Sequence, residues 1–404
     1  MNNAWWPAIA ALAFLACGDG TIGKELCISV ACDERPDLLV EQLVVDFEEV
    51  STIDPATLPA PSWRIPNPCA VAPCNVPARL FAARDGSVWS IARGTSVPTV
   101  ESITPEGTRT TRSIEVPSAE STIRSAYFTG RSDGSLLGHL QWSQPTGRSY
   151  EETVEWFDAA QPPQRTLLDP ASTQPRPPAA IAAAQGFLLF DDGVVQDEMS
   201  FNVVRNVARD GEVVWQQGSF PQVAAIVGGS AVATSTHYLL SASPNSTGTT
   251  LYRMLWLDPL GTVRRVTEVS GATWRGLSFF DRGADRYLAV APSDITAAGD
   301  GSQGNIDLVF FTGAQPTRGV RLRRDCFYAL ALNGYGIDRD GNAYVSSIAG
   351  VRGEPRGLLC RLPDRGVARC YQSEPMRSLG ALVVLDEDTV IAAMDDEIVR
   401  IDLP

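Results

Sequence analysis

Apolar residues along this chain come in short bursts with a period of two, separated by acidic turns that end in glycine. Residues 336–348, Gly-Ile-Asp-Arg-Asp-Gly-Asn-Ala-Tyr-Val-Ser-Ser-Ile, are the clearest case. A short strand leads into Asp338 and Asp340, whose carboxylates suit hydrogen bonds to neighbouring backbone groups. Gly341 supplies the positive φ that other residues resist, and β-branched and aromatic residues resume the strand. Related turns return at Asp85-Gly86, Glu106-Gly107, Asp133-Gly134, Asp192-Gly193, Asp210-Gly211, Asp258-Pro259-Leu260-Gly261 and Asp364-Arg365-Gly366. No stretch keeps a helical period over three turns; the Ala-rich run 179–184 is short and follows a proline pair.

From Arg79 onward the strands fall into groups of about four, each spanning roughly 40–60 residues. The groups are 79–116, 123–168, 180–217, 222–269, 274–322 and 327–372, with 291–305 expected as a long Gly- and Asp-bearing loop. The last group, 379–403, supplies only three strands, at 381–385, 389–394 and 397–401. An incomplete sheet leaves a bare edge, so the isolated strand pattern at 42–50 is predicted to supply the missing member. Between them, Pro55, Pro59, Pro61, Pro66, Pro68, Pro73 and Pro77 predict a connection over 51–78 without long regular structure.

The run Asp338-Arg339-Asp340-Gly341-Asn342-Ala343-Tyr344-Val345 resembles the blade turns of NHL-like and related β-propeller repeats. That resemblance implies an all-β fold: a seven-bladed β-propeller of four-stranded antiparallel blades, with the N-terminal strand closing the last blade.

Composition narrows the function classes. With 44% hydrophobic and 20% charged residues, the 404-residue chain can bury a large core. A formal charge of −14 argues against nucleic-acid partners, which require clustered cations. Lys24 is the only lysine, so lysine-based catalysis in the folded body is not expected. Residues 4–16 are apolar and too short to span a bilayer, as in the hydrophobic region of an export signal. Phe14-Leu15-Ala16-Cys17, followed by Gly18, resembles a bacterial lipobox. The resemblance implies lipidation of Cys17 and outer-membrane or cell-surface sorting; the alternative is an ordinary signal peptide cut nearby. The expected organisation is a signal at 1–16, a lipid-anchored tether at 17–40 and a propeller at 41–404, with 41–50 as its closing strand.

Eight cysteines fit an oxidising compartment. Cys27/Cys32 and Cys69/Cys74 share a C-x4-C spacing, and Cys360/Cys370 flank a turn as opposing strand residues could. Cys326 is left over, or it bonds Cys360 or Cys370 instead; spacing alone does not choose. A zinc site is the lesser reading of these spacings.

Gly130-Arg131-Ser132-Asp133-Gly134 spells a nucleophile elbow, but a strand rather than a helix follows it, so a hairpin turn is expected. Asp338 to Asn342 lacks the glycine and glutamate positions of an EF-hand. Asp294, Asp300, Asn305 and Asp307 form a weak calcium candidate, since oxygen ligands gather within one segment; no other cofactor is indicated. His139 and His237 are the only histidines, each in a strand pattern and expected to be half-buried and hydrogen-bonded. Trp89, Trp142, Trp156, Trp215, Trp256 and Trp274 are expected mostly between blades. The expected function is a non-catalytic binding or scaffold propeller at the cell envelope, with a protein or glycan partner and a lipid anchor in the membrane. The alternative is a calcium-dependent propeller hydrolase or lactonase with its site in the central channel.

Overall fold

The computed structural model describes residues 39–50, 55–67, 79–92, 99–115, 121–131, 133–144, 146, 149–158, 161–168, 179–183, 186–192, 202–217, 225–233, 237–243, 253–270, 277–282, 285–298, 301–323, 330–351 and 354–404. Among the described residues there are strands and turns but no helix.

Four strands come first: β1 (Leu39–Val44), β2 (Phe47–Val50), β3 (Ala56–Thr57) and β4 (Trp63–Pro66). Blade 1 is β5 (Arg79–Ala82), β6 (Val88–Ala92), β7 (Thr99–Ile103) and β8 (Arg109–Ser113). Blade 2 is β9 (Thr122–Gly130), β10 (Leu136–Ser143), β11 (Ser149–Trp156) and β12 (Gln164–Leu168). Blade 3 is β13 (Ala179–Ala183), β14 (Gly186–Asp192), β15 (Asn202–Ala208) and β16 (Val213–Gln217). Blade 4 is β17 (Ala225–Ala233), β18 (Tyr238–Ser243), β19 (Arg253–Leu257) and β20 (Val263–Ser270). Blade 5 is β21 (Ser278–Asp281), β22 (Arg286–Ala298), β23 (Gly301–Thr312) and β24 (Gln315–Leu322). Blade 6 is β25 (Leu330–Ile337), β26 (Ala343–Val351), β27 (Glu354–Leu362) and β28 (Arg369–Gln372). Blade 7 has only β29 (Leu379–Val384), β30 (Thr389–Met394) and β31 (Glu397–Asp402) of its own.

These seven sheets form a seven-bladed β-propeller. The first strand of each blade lies at the axis, where β29 meets β5 and β25, β9 meets β5 and β13, and β17 meets β13 and β21. Each sheet is buried on both faces, so β30 is buried at every position and reads as a continuous apolar run. Separate apolar clusters fill the spaces between neighbouring blades. Trp89, Phe128, Trp142 and Trp156 pack between blades 1 and 2, and Leu80, Ile103, Val383 and Ile391 between blades 1 and 7. Leu288, Phe310, Val345 and Leu358 do the same between blades 5 and 6.

The turns are tight for the reason the acidic pattern suggests. Gly86, Gly107, Gly134, Gly211, Gly261, Gly341 and Gly366 all have φ between 80° and 113°. At residues 338–342 the Asp338 carboxylate accepts the Asp340 and Asn342 amides at 3.0 and 2.8 Å, and the Asn342 side chain at 2.7 Å. Because strands alternate direction within a blade, first-to-second and third-to-fourth turns share one face of the disc, here the tight-turn face. The longer connections leave from the opposite face.

Closure of the ring departs from the sequence expectation. An N-terminal strand does complete blade 7, but it is β4, paired antiparallel with β31 through Trp63↔Arg400 and Pro66↔Glu397. Residues 42–50 do not reach blade 7. Instead β1 adds parallel to β20 of blade 4, β2 to β24 of blade 5, and β3 to β28 of blade 6, so those blades have five strands. The segment is a belt around the rim. Its chemistry explains where it lies: Glu41, Glu48 and Glu49 meet Arg265, Arg318 and Arg323 at 3.3, 2.6 and 2.8 Å. Leu43 is buried with Met254 and Trp256, and Leu58 with Leu359 and Tyr371. Prolines around β4 are tolerated because it is an outer edge, where a missing amide costs no ladder bond. Trp63 then ties blade 7 to blade 1, its indole donating to Pro105 O at 2.7 Å and its ring lying against Gly107.

Two further expectations are corrected or completed. Residues 291–305 are not an irregular loop; β22 and β23 continue through them to Ala298↔Gly301, with a register shift between Ser293 and Thr296. Cys360 and Cys370 face each other across β27 and β28 and are disulfide-bonded, so neither takes Cys326. Cys17, Cys27, Cys32, Cys69, Cys74 and Cys326 lie outside the described residues, as do the expected signal and most of the tether.

Gly319 is where the belt approaches blade 5 most closely. A Cβ there would sit 2.5 Å from Val45 Cγ1 and 2.9 Å from Asp46 O. Gly319→Ala is expected to lift the belt and cost about 1–3 kcal/mol, in the range of overpacked cores. Thermal melting and limited proteolysis over residues 45–55 check this; an unchanged melt and cleavage rate would mean that the belt is not seated there.

Candidate recognition groove between blades 4 and 5

A concavity of about 560 Å³ opens on the tight-turn face between blades 4 and 5. Blade 4 contributes His237, Trp256, Arg264 and Arg265; blade 5 contributes Asp285 and the turn 312–315; the belt contributes Leu39. Asp285 sits in the left-handed region at φ 57°, and Gly313 beside it at 53°. The Gly313 amide donates to Asp285 O at 2.7 Å, locking the two turns of blade 5 together.

The wall is aromatic. The His237 ring centroid lies 5.4 Å from both Trp256 and Tyr287, and Trp256 and Tyr287 meet edge to face at 5.9 Å. Tyr287 is fully buried, and its hydroxyl donates to Asp285 Oδ1 at 2.6 Å. The Tyr287 hydroxyl oxygen is also 2.8 Å from His237 Nε2. With the phenol proton committed to the carboxylate, Nε2–H is the donor of that second bond. Asp285 is the turn residue just before β22 and Tyr287 lies at the start of that strand, so their contact is local and is the part of the site nearest to a sequence signal. Burial lowers the His237 pKa below the usual imidazole value, against the opposing pull of Asp285 and Asp281. The imidazole is therefore a neutral hydrogen-bonding group at pH 7. Behind it the Trp256 indole donates to Thr267 Oγ1 at 3.2 Å, and Thr267 donates to belt Glu41 at 3.2 Å. Fixed aromatic and polar groups in such a concavity can orient a small polar ligand.

The other candidates from the sequence lie elsewhere. Asp307 is buried in β23, with both carboxylate oxygens on Arg321 at 2.7 and 2.9 Å. Asn305 pairs with Ser293 across the same hairpin. The side chain of Asp294 and the whole of Asp300 lie outside the described residues. Ser132 is outside it too, and the residues around it make a hairpin: Arg131 N donates to Ser135 O at 2.8 Å and β10 follows. His139 is buried in blade 2, its Nε2 3.8 Å from Glu151, which also accepts from Gln141 at 2.9 Å. On the other side of that strand Glu152 takes Arg165 and the Trp142 indole, each at 2.6 Å. Trp89, Trp142, Trp156 and Trp256 are buried as expected, Trp215 is partly buried, and Trp274 is not described.

At the axis the described residues bring together an arginine and aromatic rings. The Arg79 guanidinium lies 4.8 Å from the Tyr127 ring centroid, and Phe280 packs 4.1 Å from Tyr335. Burial pushes the Tyr335 phenol up.

No protein-family model and no curated protein matches the chain. Solved structures similar to it include Drosophila Plexin A in complex with Semaphorin 1b: 10% identity, TM-score 0.44, covering 86% of this chain and 88% of that one. Another is the WD40 domain of SCAP from fission yeast, with 9% identity, TM-score 0.40 and coverage of 80% and 84%. A third is a Penicillium chrysogenum α-L-arabinanase complexed with arabinobiose, with 13% identity, TM-score 0.40 and coverage of 69% and 93%. At these values none brings a function to this chain, and the propeller assignment stands on its own seven sheets.

The half-buried His237 imidazole sets a pH dependence. In the unfolded chain His237 titrates near ~6.5, and in the folded chain lower, so the unfolded state binds more protons as pH falls. The contribution is therefore complete above about pH 6.5 and is lost as acid is added below it. His237→Asn is expected to flatten the fall in urea-unfolding stability between pH 7.5 and 5.5; an equally steep fall in variant and wild type would refute it.

Proposed function

We propose that this chain is an exported, lipid-anchored β-propeller acting as a non-catalytic binding protein at the cell envelope, with a glycan or protein partner presenting a small polar group. The groove between blades 4 and 5 carries this reading, because it combines an aromatic wall with oriented donors and acceptors. The buried acids support it. Glu151, Glu152, Glu155 and Asp307 are each held by arginines as braces between strands. A rigid disc of this kind presents loops and rim grooves without moving them.

The route of the chain gives the anchor a geometry. Leu39 opposite Arg265 places the entry of the belt at the tight-turn face, beside the groove. From Cys17 to Leu39 the chain can reach at most about 75 Å when extended.

Binding of the intact protein to an array of envelope glycans and to envelope proteins tests this. Gln315→Trp narrows the groove from its exposed rim and is expected to weaken binding about tenfold or more, a loss of ~1.4 kcal/mol. Binding that persists unchanged would move recognition away from the groove. Turnover of a bound glycan would replace the non-catalytic reading.

A further inference from the structure

The turn that follows an axial strand is closed by the same backbone bond in several blades, and this fixes equivalent heights around the ring. Ala83 N donates to Ser87 O, Arg131 N to Ser135 O, Arg282 N to Arg286 O, Asp338 N to Asn342 O and Leu385 N to Thr389 O. Four places before these turns stand Arg79 in blade 1, Tyr127 in blade 2 and Ser278 in blade 5. The three therefore occupy one level of the axis and equivalent faces of their strands. Tyr335 of blade 6 lies one residue further along, about 3.3 Å toward the tight-turn face. In blades 6 and 7 the equivalent positions are Gly334 and Ala381, which carry no long side chain.

Two pairs result, on opposite sides of the ring. Between blades 1 and 2 the Arg79 guanidinium lies 4.8 Å from the Tyr127 ring centroid. Between blades 5 and 6, Ser278 hydrogen-bonds the Tyr335 phenol, whose ring packs on Phe280. Tyr127 and Arg79 both act electrostatically on that phenol, so the pairs face each other across the axis.

Arg79 is unlike the arginines that brace the sheets. Arg131, Arg165, Arg253 and Arg321 each hold a carboxylate. Half-buried Arg79 has neither a carboxylate nor a hydrogen-bond acceptor among the described residues, only the face of Tyr127. The Tyr127 hydroxyl has no hydrogen-bond partner among them either. A partly desolvated guanidinium with its donors unspent is costly unless a ligand accepts from it. Acids do not offset it nearby: in a chain of formal charge −14, Asp281 is the only acid on the seven axial strands, and it is exposed at the turn end of β21.

We propose that the axis is an anion site, in which Arg79 binds the oxyanion of a carboxylate-, sulfate- or phosphate-bearing ligand and Tyr127 and Tyr335 add phenol donors. The site is separate from the groove between blades 4 and 5 and does not depend on it. Arginine and phenol donors suit calcium poorly, because that ion takes carboxylate and carbonyl oxygens.

Calorimetric titration of the full chain with sodium glucuronate, sulfate and phosphate, at one fixed ionic strength, tests this and separates planar from tetrahedral oxyanions. At least one of the three is expected to bind wild type saturably. Arg79→Gln should weaken that binding about tenfold or more, as for loss of a charge-assisted bond. Tyr127→Phe, which keeps the ring beneath Arg79, should weaken it less. Melting without ligand checks that the variants fold; if Arg79→Gln does not, the Tyr127→Phe/Tyr335→Phe double variant decides, and it should bind more weakly than wild type. Gln315→Trp, in the groove, should leave anion binding unchanged. The proposal is overturned if wild type binds none of the three anions, or if the axial variants bind them as wild type does. Loss of binding in Gln315→Trp would overturn it by assigning the anion to the groove, and so would saturable binding of calcium in place of the anions.

Discussion

A blade ends in an outer strand whose amides and carbonyls on one side have no partner within the sheet, and the whole molecule is arranged around that fact. Each outer edge must be paired, charged or exposed. Blade 7 lacks a fourth strand of its own, so β31 would lie bare until β4 joins it. The junction is not left to backbone bonds alone. Trp63 reaches into blade 1, and Arg400 also donates to Pro105 O at 3.1 Å, so closing the sheet and closing the ring are one event. A chain that must bring residue 63 to residue 400 defers this contact until much else has formed.

The belt also links the rim to the groove. Leu39 lines the groove, and Glu41 lies at the end of the hydrogen-bond relay behind Trp256. The groove is therefore shared by two blades and by the belt. Elsewhere the spaces between blades are filled by hydrocarbon, as in blades 5 to 7, or partly by matched charge, as in blade 2. Buried ion pairs contribute little net stability once desolvation is counted, whereas removing one partner is costly. Glu151 and Glu155 of β11, which reach Arg205 and Arg209 of blade 3, thus fit a role in fixing how blades 2 and 3 seat more than in holding them together.

Much of this was legible along the chain. Alternating apolar residues and Asp/Gly turns mark nearly every blade strand, because a tight hairpin needs positive φ at one position and a local acceptor for its amides, and both are nearest-neighbour requirements. That Cys360 and Cys370 stand opposite each other around one turn was legible for the same reason, but only the paired strands chose their bond over one to Cys326. The groove was not. His237 and Tyr287 are fifty residues apart, and nothing in either strand says that it will face the other.

The sequence by itself determined most blade strands, the turns, the number of blades and the need for an N-terminal strand to complete the last one. These follow from periodicity and turn chemistry, which act over a few residues. Only the tertiary structure decided which N-terminal strand performs the closure and where the others go. Residues 42–50 and 63–66 both have extended, edge-compatible patterns, and the choice between them rests on distant partners. Arg265, Arg318 and the bare Cα of Gly319 hold the first on blades 4 and 5, and Pro105 with Gly107 receives Trp63 of the second. Such complementarity is a property of surfaces that exist only after the ring has begun to form.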